Sequence, residues 1–341
     1  MALSFASPNS QSRILSVGAY RPSRIIPNSE IVDRIDSSDE WIRERSGIES
    51  RRFAGPDESV ISMALAASEQ AISRSGLSVS DIDAVIVATI TYPFQTPSAA
   101  TELIMKLGNP KAAAFDISAA CAGFCYGVGM AADLIRGGTA HNVLVVGVEK
   151  LSDFTDPDDR GTAFIFADGA GAVIIGKSEN AGIGPMIWGS DAESRDAILM
   201  TPSWIDLKAP GSVGWPDISM QGQTVFRWAV YQMAPVALKA LEVAGLTPET
   251  LAAFVPHQAN MRIIDAMAKS MKLPDTVAIA RDVRVSGNTS AASVPIAMDA
   301  LLTERPDLHG KSALIIGFGA GLVYAAQAIE LPPAPNKAPK K

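Results

Sequence analysis

The sequence predicts an α/β protein built from two similar halves that pack into one body. Strand-like apolar runs, such as AVIVATI at residues 84–90 and NVLVVGV at residues 142–148, alternate with helix-like runs along the chain. A segment of the first half also recurs in the second half at a nearly constant spacing, which is typical of a duplicated framework. The 341 residues are enough for one large domain or for two fused ones.

The repeat is clearest in a helix–loop–strand segment. AISRSGLSVSDIDAVIVAT aligns with ALEVAGLTPETLAAFVPHQ, and Gly76 then matches Gly245 at an offset of 169 residues. Further along, VLVVG ending at Gly147 matches ALIIG ending at Gly317 at an offset of 170 residues. Because a shared register over about seventy residues is much rarer than single matches, we infer a duplication whose halves meet near residues 175–185.

Four segments follow from this pattern. We expect the Ser-, Asn- and Pro-rich residues 1–12 and the Pro-rich, basic residues 332–341 to be disordered tails. The first half covers residues 13–180 and the second half covers residues 181–331. The longest apolar run, ALIIGFGAGLVYAAQAI, contains three glycines and a glutamine, so it predicts a buried strand–turn–strand rather than a membrane span.

The composition is that of a globular protein without a membrane or nucleic-acid partner. Hydrophobic residues make up 48% of the chain, charged residues 19%, and the net charge of −7 does not favour binding to nucleic acid. Two cysteines four residues apart do not form a disulfide framework, which favours a reducing compartment. The N-terminal residues lack the pattern of a secretory signal, and we therefore expect a cytoplasmic protein.

Cys121 is the candidate nucleophile, since it lies in a predicted strand–turn–helix. The strand AAAFDIS precedes it, and the helix GFCYGVGMAADLIRGG follows and stops at the Gly137–Gly138 pair. Small neighbouring residues leave room for a substrate carbonyl, and a helix N-terminus favours a thiolate. Taken alone, a small buried cysteine with a packing role is the commoner interpretation.

The repeat predicts which residues share a site with this thiol. An offset near 169 places the Cys121 turn opposite the region around Ser290, in VSGNTSAASVP, and the loop after AVIVAT opposite VPHQAN. Halves related by a pseudo-twofold axis would bring these loops to a common centre. His257 follows a predicted strand at its carboxyl end, where α/β proteins place catalytic groups. Cys121, His257 and Asn288 are therefore the candidate site.

Three motifs, ACAGF, VPHQAN and GNTSAAS, together resemble β-ketoacyl-acyl-carrier-protein synthase III, the initiating condensing enzyme of the thiolase-like superfamily. SSDEWIRERSGIESRRF, DRGTAFIFADGAGAVIIG and GFGAGLVYAAQAI follow the same family in order, so the resemblance covers residues 13–331. It implies a duplicated thiolase-like fold in five layers, αβαβα, and a homodimer. Asn288 distinguishes this family from relatives with a second histidine, a second cysteine or a glutamate. Chalcone synthases share the triad but are longer and lack the DEWIRERSGI segment.

The resemblance also implies a mechanism. Cys121 would take the acyl group from an acyl-CoA, and malonyl-acyl-carrier protein would then lose carbon dioxide and attack that acyl group. His257 and Asn288 would donate hydrogen bonds to the enolate, and the backbone N–H groups of Cys121 and Ala320 would bind the second oxyanion. Many relatives have glycine where Ala320 stands, and the amide is kept. No cofactor or metal is implied.

Binding residues are implied at three places. Trp41, Arg45 and Arg160 match the positions that hold the adenine and phosphates of CoA. Docking of the acidic carrier protein needs a basic surface, and we assign it to Gln258, Arg262, Lys269 and Arg227, because Arg262 and Lys269 lie on one face of a predicted helix. Thr96 matches a residue beside the acyl channel, in one chain or across the dimer, and its small side chain predicts tolerance of longer or branched starters.

Two other functions remain open at the level of sequence. An acyltransferase of the same superfamily would move the acyl group to an amine or alcohol without condensation, and it would not require Asn288. A catalytically silent subunit that only binds carrier protein or a dimer partner is less favoured, because the whole triad is present. The sequence does not distinguish membrane-lipid synthesis from a specialised polyketide pathway.

Overall fold

The structure is a computed structural model that describes residues 10–212 and 214–334. Within these residues the β-strands are Gln11–Tyr20 (β1), Arg24–Pro27 (β2), Ser50–Phe53 (β3), Ala84–Ala88 (β4), Ala113–Ile117 (β5), Asn142–Lys150 (β6), Asp168–Ser178 (β7), Ile187–Ser190 (β8), Ile198–Thr201 (β9), Asp217–Met220 (β10), Ala253–Pro256 (β11), Ala278–Ile279 (β12), Ser312–Gly319 (β13) and Val323–Glu330 (β14). The α-helices are Asp39–Ser46 (α1), Val60–Ser75 (α2), Ala99–Leu107 (α3), Gly123–Arg136 (α4), Gly222–Val243 (α5), Met261–Ser270 (α6), Val283–Ser286 (α7) and Ser293–Glu304 (α8).

Two five-stranded sheets have the same topology. Their strand orders are β5-β4-β6-β7-β1 and β12-β11-β13-β14-β8. In each sheet the first three strands are parallel, and the last two are added antiparallel. Gly76 and Gly245, matched by the sequence repeat, both follow a helix with positive φ, at 77° and 70°. The predicted duplication is therefore confirmed at the level of strand order and of helix termination.

The sheets and helices stack in five layers. Helices α4 and α8 lie between the two sheets, where Val128 and Met298 share one apolar core with Val145 and Ile315. Helices α2 and α3 cover the outer face of the first sheet, and α5 and α6 cover that of the second. A helix between two sheets is apolar on all sides, which is why α4 is rich in Ala, Val and Gly. At Gly127 a methyl group would lie 2.7 Å from Val145, so only glycine allows this contact.

The termini differ slightly from the sequence prediction. Strand β1 begins at Gln11, and Ser12 pairs with Lys177 and is 1% exposed, so the prediction of a tail is wrong for these residues. The cause is antiparallel pairing with β7, which buries alternate side chains. Residues 1–9 and 335–341 of the two predicted tails lie outside the described residues. The chain passes from one sheet to the other between Ser178 and Ile187, and the predicted boundary at 180/181 falls in this connection.

Candidate active site

Cys121 lies in a tight turn between β5 and α4. The turn is a 3₁₀ turn, Ala120–Ala122, and it faces the equivalent turn of the other half, Ser290–Ala292. Ala120 and Ser290 occupy matching positions and both have a left-handed backbone, with φ of 43° and 47°. Cys121 lines a cavity of about 1190 Å³ that His257, Asn288 and Ser290 also line. The structure thus brings together the three residues that the repeat placed at a common centre.

His257 follows β11 and is held as a neutral imidazole. Its Nδ1 lies 2.7 Å from Ser293 Oγ, and the backbone N–H of Gln258 donates to the same oxygen at 3.3 Å. Among the described residues the Ser293 hydroxyl has no other acceptor for its proton, and we therefore assign that proton to a hydrogen bond to Nδ1 and the ring proton to Nε2. The ring also packs edge-on against Phe318, with centroids 5.3 Å apart. Burial lowers the pKa of His257 to about 3. The imidazole is therefore a hydrogen-bond donor rather than a cation.

Asn288 is buried in the loop after α7 and is fixed by its own turn. Its Oδ1 accepts the backbone N–H of Ser290 at 2.9 Å, and its backbone N–H donates to Ile165 O at 2.9 Å. Because the side-chain oxygen is used in this way, the NH₂ group is the end of the amide that is left for a substrate. His257 and Asn288 thus offer two uncharged donors to one cavity.

The electrostatics of the thiol differ from the sequence expectation. Burial raises the pKa of Cys121 to about 12, while a hydrogen bond from Ser290 opposes this rise and the charge of Glu149 adds to it. The α-helix begins at Gly123, two residues after the cysteine, so the thiol does not lie at the first turn of α4. Burial of the thiol therefore opposes the thiolate that a helix N-terminus would favour.

Ala320 begins the turn after β13 and lines the cavity beside Cys121. The preceding residue, Gly319, packs directly on the cysteine. A methyl group at Gly319 would lie 2.9 Å from both the backbone nitrogen and the Sγ of Cys121. Glycine therefore allows the β13 turn to approach Cys121 closely, and the oxyanion site formed by the backbone N–H groups of Cys121 and Ala320 stays a prediction.

An aromatic and cationic cluster lies at another part of the same cavity. The guanidinium carbons of Arg45 and Arg160 lie 5.5 Å and 5.0 Å from the ring centroid of Trp41. Phe164 supports the indole from its edge, at a centroid distance of 5.3 Å. All three predicted CoA residues line the cavity that contains Cys121. Such a cluster combines a flat stacking surface with positive charge.

Comparisons with known proteins agree with this geometry. The family description "3-Oxoacyl-[acyl-carrier-protein (ACP)] synthase III" matches residues 115–192, and its C-terminal counterpart matches residues 241–331. Beta-ketoacyl-[acyl-carrier-protein] synthase III 1 of Streptomyces coelicolor is 53% identical over 330 residues, which cover 94% of this chain and 96% of that protein. The synthase III of Streptomyces glaucescens is 54% identical with the same coverage. The chain belongs to the β-ketoacyl-[acyl-carrier-protein] synthase III family.

Solved structures of this family have the same fold. The priming β-ketosynthase of the R1128 polyketide pathway superposes with a TM-score of 0.95 at 46% identity, covering 98% of this chain and 100% of that one. The synthase III of Aquifex aeolicus superposes with a TM-score of 0.85 at 36% identity, and the match covers 94% of this chain and 99% of that chain. The predicted fold class, a duplicated thiolase-like α/β fold in five layers, is confirmed. As a synthase III, the protein is an acyl-transferring condensing enzyme.

The predicted docking residues divide into two groups. Arg227 on α5 and Arg262 on α6 line the cavity mouth, and Arg262 lies 4.8 Å over the ring of Phe226. Lys269 is exposed near the end of α6 and borders a separate hollow. Gln258 is 1% exposed, and its side chain bonds to the backbone of Pro256, Ala280 and Val283. The assignment of Gln258 to docking is wrong, because it holds the loop after His257 from the inside.

Thr96 is exposed and does not line the cavity of the single chain, whereas the neighbouring Phe94 and Gln95 do. Its predicted place beside the acyl channel therefore stays a prediction for the assembled enzyme. The described part of the chain holds no group of three His, Cys, Asp or Glu side chains suited to a metal ion. Among the same residues no helix is long and apolar enough to cross a membrane.

Three polar residues of the site were missed by sequence reasoning. Ser293 is hydrogen-bonded to His257, Ser290 lowers the pKa of the Cys121 thiol, and the buried Glu149 accepts a hydrogen bond from Ser290. Glu149 could have been noticed, because it is the one charge inside the apolar run NVLVVGVE. Ser290 could have been found as the counterpart of Ala120 in the repeat.

Proposed function

We propose that the protein catalyses the initiating condensation of type II fatty acid or related polyketide synthesis. It joins an acyl-CoA starter to malonyl-acyl-carrier protein and yields 3-oxoacyl-acyl-carrier protein, CoA and carbon dioxide. The observation that carries this proposal is the pairing of a buried thiol with two neutral donors, His257 and Asn288, on one cavity. A neutral donor pair stabilises an enolate, whereas a carboxylate at either position would repel it.

The reaction divides into two half-reactions. In the first, Cys121 Sγ attacks the thioester carbonyl, and the backbone N–H groups of Cys121 and Ala320 bind the developing oxyanion while CoA leaves. In the second, malonyl-acyl-carrier protein loses carbon dioxide, and the His257 Nε2–H and the Asn288 NH₂ donate to its enolate oxygen. The enolate carbon then attacks the acyl-cysteine carbonyl, the C–S bond breaks, and Cys121 leaves as a thiolate that takes up a proton from solvent. No step as proposed requires a cofactor.

The two substrates reach the cavity through different surfaces in this proposal. The Trp41 cluster with Arg45 and Arg160 supports binding of the adenine and phosphates of CoA. The basic residues Arg227, Arg262 and Lys269, on α5 and α6, support docking of an acidic carrier protein. Their charges matter because the chain as a whole has a net charge of −7.

We also propose that the enzyme is a homodimer in the cytoplasm. Strand β5 is the edge of the first sheet, and Phe94, in the loop before α3, is 61% exposed. A second copy on this side would pair the free edge and bury the aromatic ring. Both cysteines are free thiols, which agrees with a reducing compartment.

An assay with acyl-CoA and malonyl-acyl-carrier protein tests the function. Intact mass of the carrier protein should show the 3-oxoacyl product, with release of carbon dioxide and dependence on Cys121. Acyl transfer to an amine or alcohol without carbon dioxide release would favour the superfamily acyltransferase instead. Binding of carrier protein with no acylation of Cys121 would favour a silent subunit.

A further inference from the structure

A buried carboxylate lies where the two halves of the molecule meet behind the site. Glu149, near the end of β6 in the first half, is 0% exposed. Its Oε2 accepts three hydrogen bonds from the loop after β4: from Thr91 Oγ1 at 2.8 Å, from the backbone N–H of Ile90 at 3.0 Å and from Thr89 Oγ1 at 3.2 Å. Burial of a carboxylate is costly unless it is hydrogen-bonded, and these three donors hold it in one place.

The other oxygen of this carboxylate is bonded to the second half. Glu149 Oε1 accepts a hydrogen bond from the hydroxyl of Ser290 at 3.2 Å. The two backbones are also in close contact here, because a methyl group at Gly147 would lie 2.2 Å from the carbonyl oxygen of Ala291. Ser290 has a left-handed backbone with φ of 47°, which costs free energy in a residue other than glycine. The hydrogen bond to Glu149 therefore helps to hold a strained turn.

Ser290 in turn holds the side chain of Asn288. Its backbone N–H donates to Asn288 Oδ1 at 2.9 Å, and within residues 10–212 and 214–334 this is the one hydrogen bond of that side chain. The main chain of Asn288 is fixed separately, by hydrogen bonds to Ile165 and Ala167 at 2.9 Å each. The direction of the amide therefore depends on where Ser290 lies, and a shift of Ser290 would let the NH₂ group turn from its place in the cavity.

We infer that Glu149 is a positioning residue, which fixes the Ser290 turn and thereby aims the Asn288 amide at the malonyl enolate. The inference deepens the donor pair of the proposed function and rests on it. Among the described residues, Ser290 and Asn288 line the cavity and Glu149 does not. Its effect on the reaction therefore passes through these two neighbours, and it should concern the half-reaction that uses Asn288.

Decarboxylation in a single turnover tests this role. The enzyme is first acylated to completion with acyl-CoA, and carbon dioxide release is then followed at saturating malonyl-acyl-carrier protein. Glu149→Leu keeps a side chain of similar size but cannot accept a hydrogen bond. It should slow decarboxylation by about 10- to 100-fold, because a small misplacement of a catalytic group has an effect of this order. The preceding acylation should stay close to the wild-type rate, since it does not use Asn288 in the proposed mechanism.

Glu149→Gln is the matched variant, because glutamine has the same shape without the charge. Its side-chain oxygen can accept the three hydrogen bonds of the β4 loop while its NH₂ group donates to Ser290 Oγ. The contact with Ser290 is then kept with its direction reversed. This variant should therefore recover most of the decarboxylation rate that Glu149→Leu loses, whereas a role that depended on the carboxylate charge would be lost in both.

A double-mutant cycle separates positioning from general damage to the fold. Asn288→Ala alone should slow decarboxylation by about 10²- to 10³-fold, and Glu149→Leu should add little to it, because both changes remove the same interaction. Ser290→Ala breaks the contact from the other side, and alanine suits this backbone because Ala120 has φ of 43° in the matching turn. It should slow decarboxylation as Glu149→Leu does and also add little to Asn288→Ala, so it decides the matter if Glu149→Leu does not fold.

The outcomes distinguish this role from the function on which it rests. Three results would overturn the role of Glu149 and leave the proposed function standing: equal loss of both half-reactions in Glu149→Leu, losses that multiply in the double variants, or a loss in Glu149→Gln as large as in Glu149→Leu. Decarboxylation that is unchanged in Asn288→Ala would instead overturn the donor pair of the proposed function, and the role of Glu149 with it.

Discussion

Replacing Ser293 by alanine separates the two half-reactions. The Ser293 hydroxyl lies 2.7 Å from His257 Nδ1 in a fully buried setting and holds the proton of the ring on Nε2. Without it, Nδ1 becomes a buried acceptor with no partner, which costs about 1–3 kcal/mol and favours the other tautomer. If the transition state loses this 1–3 kcal/mol of stabilisation, the rate falls by about 5- to 150-fold. We expect this loss in malonyl decarboxylation but not in acylation, because in the proposed mechanism His257 donates only to the enolate of the second half-reaction.

The assay measures carbon dioxide release from malonyl-acyl-carrier protein and, separately, the burst of CoA release from acyl-CoA. Ser286→Ala is the matched control, since Ser286 is a buried serine near the same loop whose hydroxyl has no hydrogen-bond partner among the described residues. That variant should leave both rates close to wild type. An equal loss of both rates in Ser293→Ala, or an unchanged rate of decarboxylation, would refute the assigned tautomer.

Further predictions concern the thiol, the docking surface and the starter. The acylation rate should rise with pH between about 7 and 9 in a stopped-flow pH profile, because burial raises the pKa of Cys121 and a higher pH increases the thiolate fraction; a flat profile would contradict this. Gly319→Ala should lower the free energy of unfolding by about 1–3 kcal/mol and slow acylation, measured by denaturant titration and CoA release, since its methyl group would press on Cys121. Arg262→Glu should raise the KM for malonyl-acyl-carrier protein about tenfold or more and spare acylation; equal loss in both steps would contradict docking. A panel of acyl-CoA starters should show use of branched or longer chains if Thr96 borders the channel, and strict use of acetyl-CoA would contradict that placement.

The sequence predicted the fold and the triad because both depend on a repeated local pattern. The offset between Gly76 and Gly245 reflects the same helix end in each half, and the Cys121 turn does face the Ser290 turn. Two halves with one topology bring matching loops together at the sheet ends, so the register placed the three candidate residues on one cavity.

The parts that sequence did not predict depend on burial and on contacts across the halves. The high pKa of Cys121 comes from desolvation, which no residue pattern reports. Gln258 follows His257 and was predicted to be a surface residue, yet the loop turns its amide inward. The bond between Ser290 and Glu149 joins residues 141 positions apart, and the polar network therefore became visible only in three dimensions.

The measurement that tests the central claim most directly is a two-step mass analysis. The enzyme is first exposed to acyl-CoA, freed of excess substrate, and then mixed with malonyl-acyl-carrier protein. The account predicts an acyl adduct on Cys121 that disappears as 3-oxoacyl-acyl-carrier protein and carbon dioxide form in equal amounts, with neither adduct nor product in Cys121→Ala. A product that forms without prior acylation of Cys121, or an adduct that does not pass to the carrier protein, would contradict it.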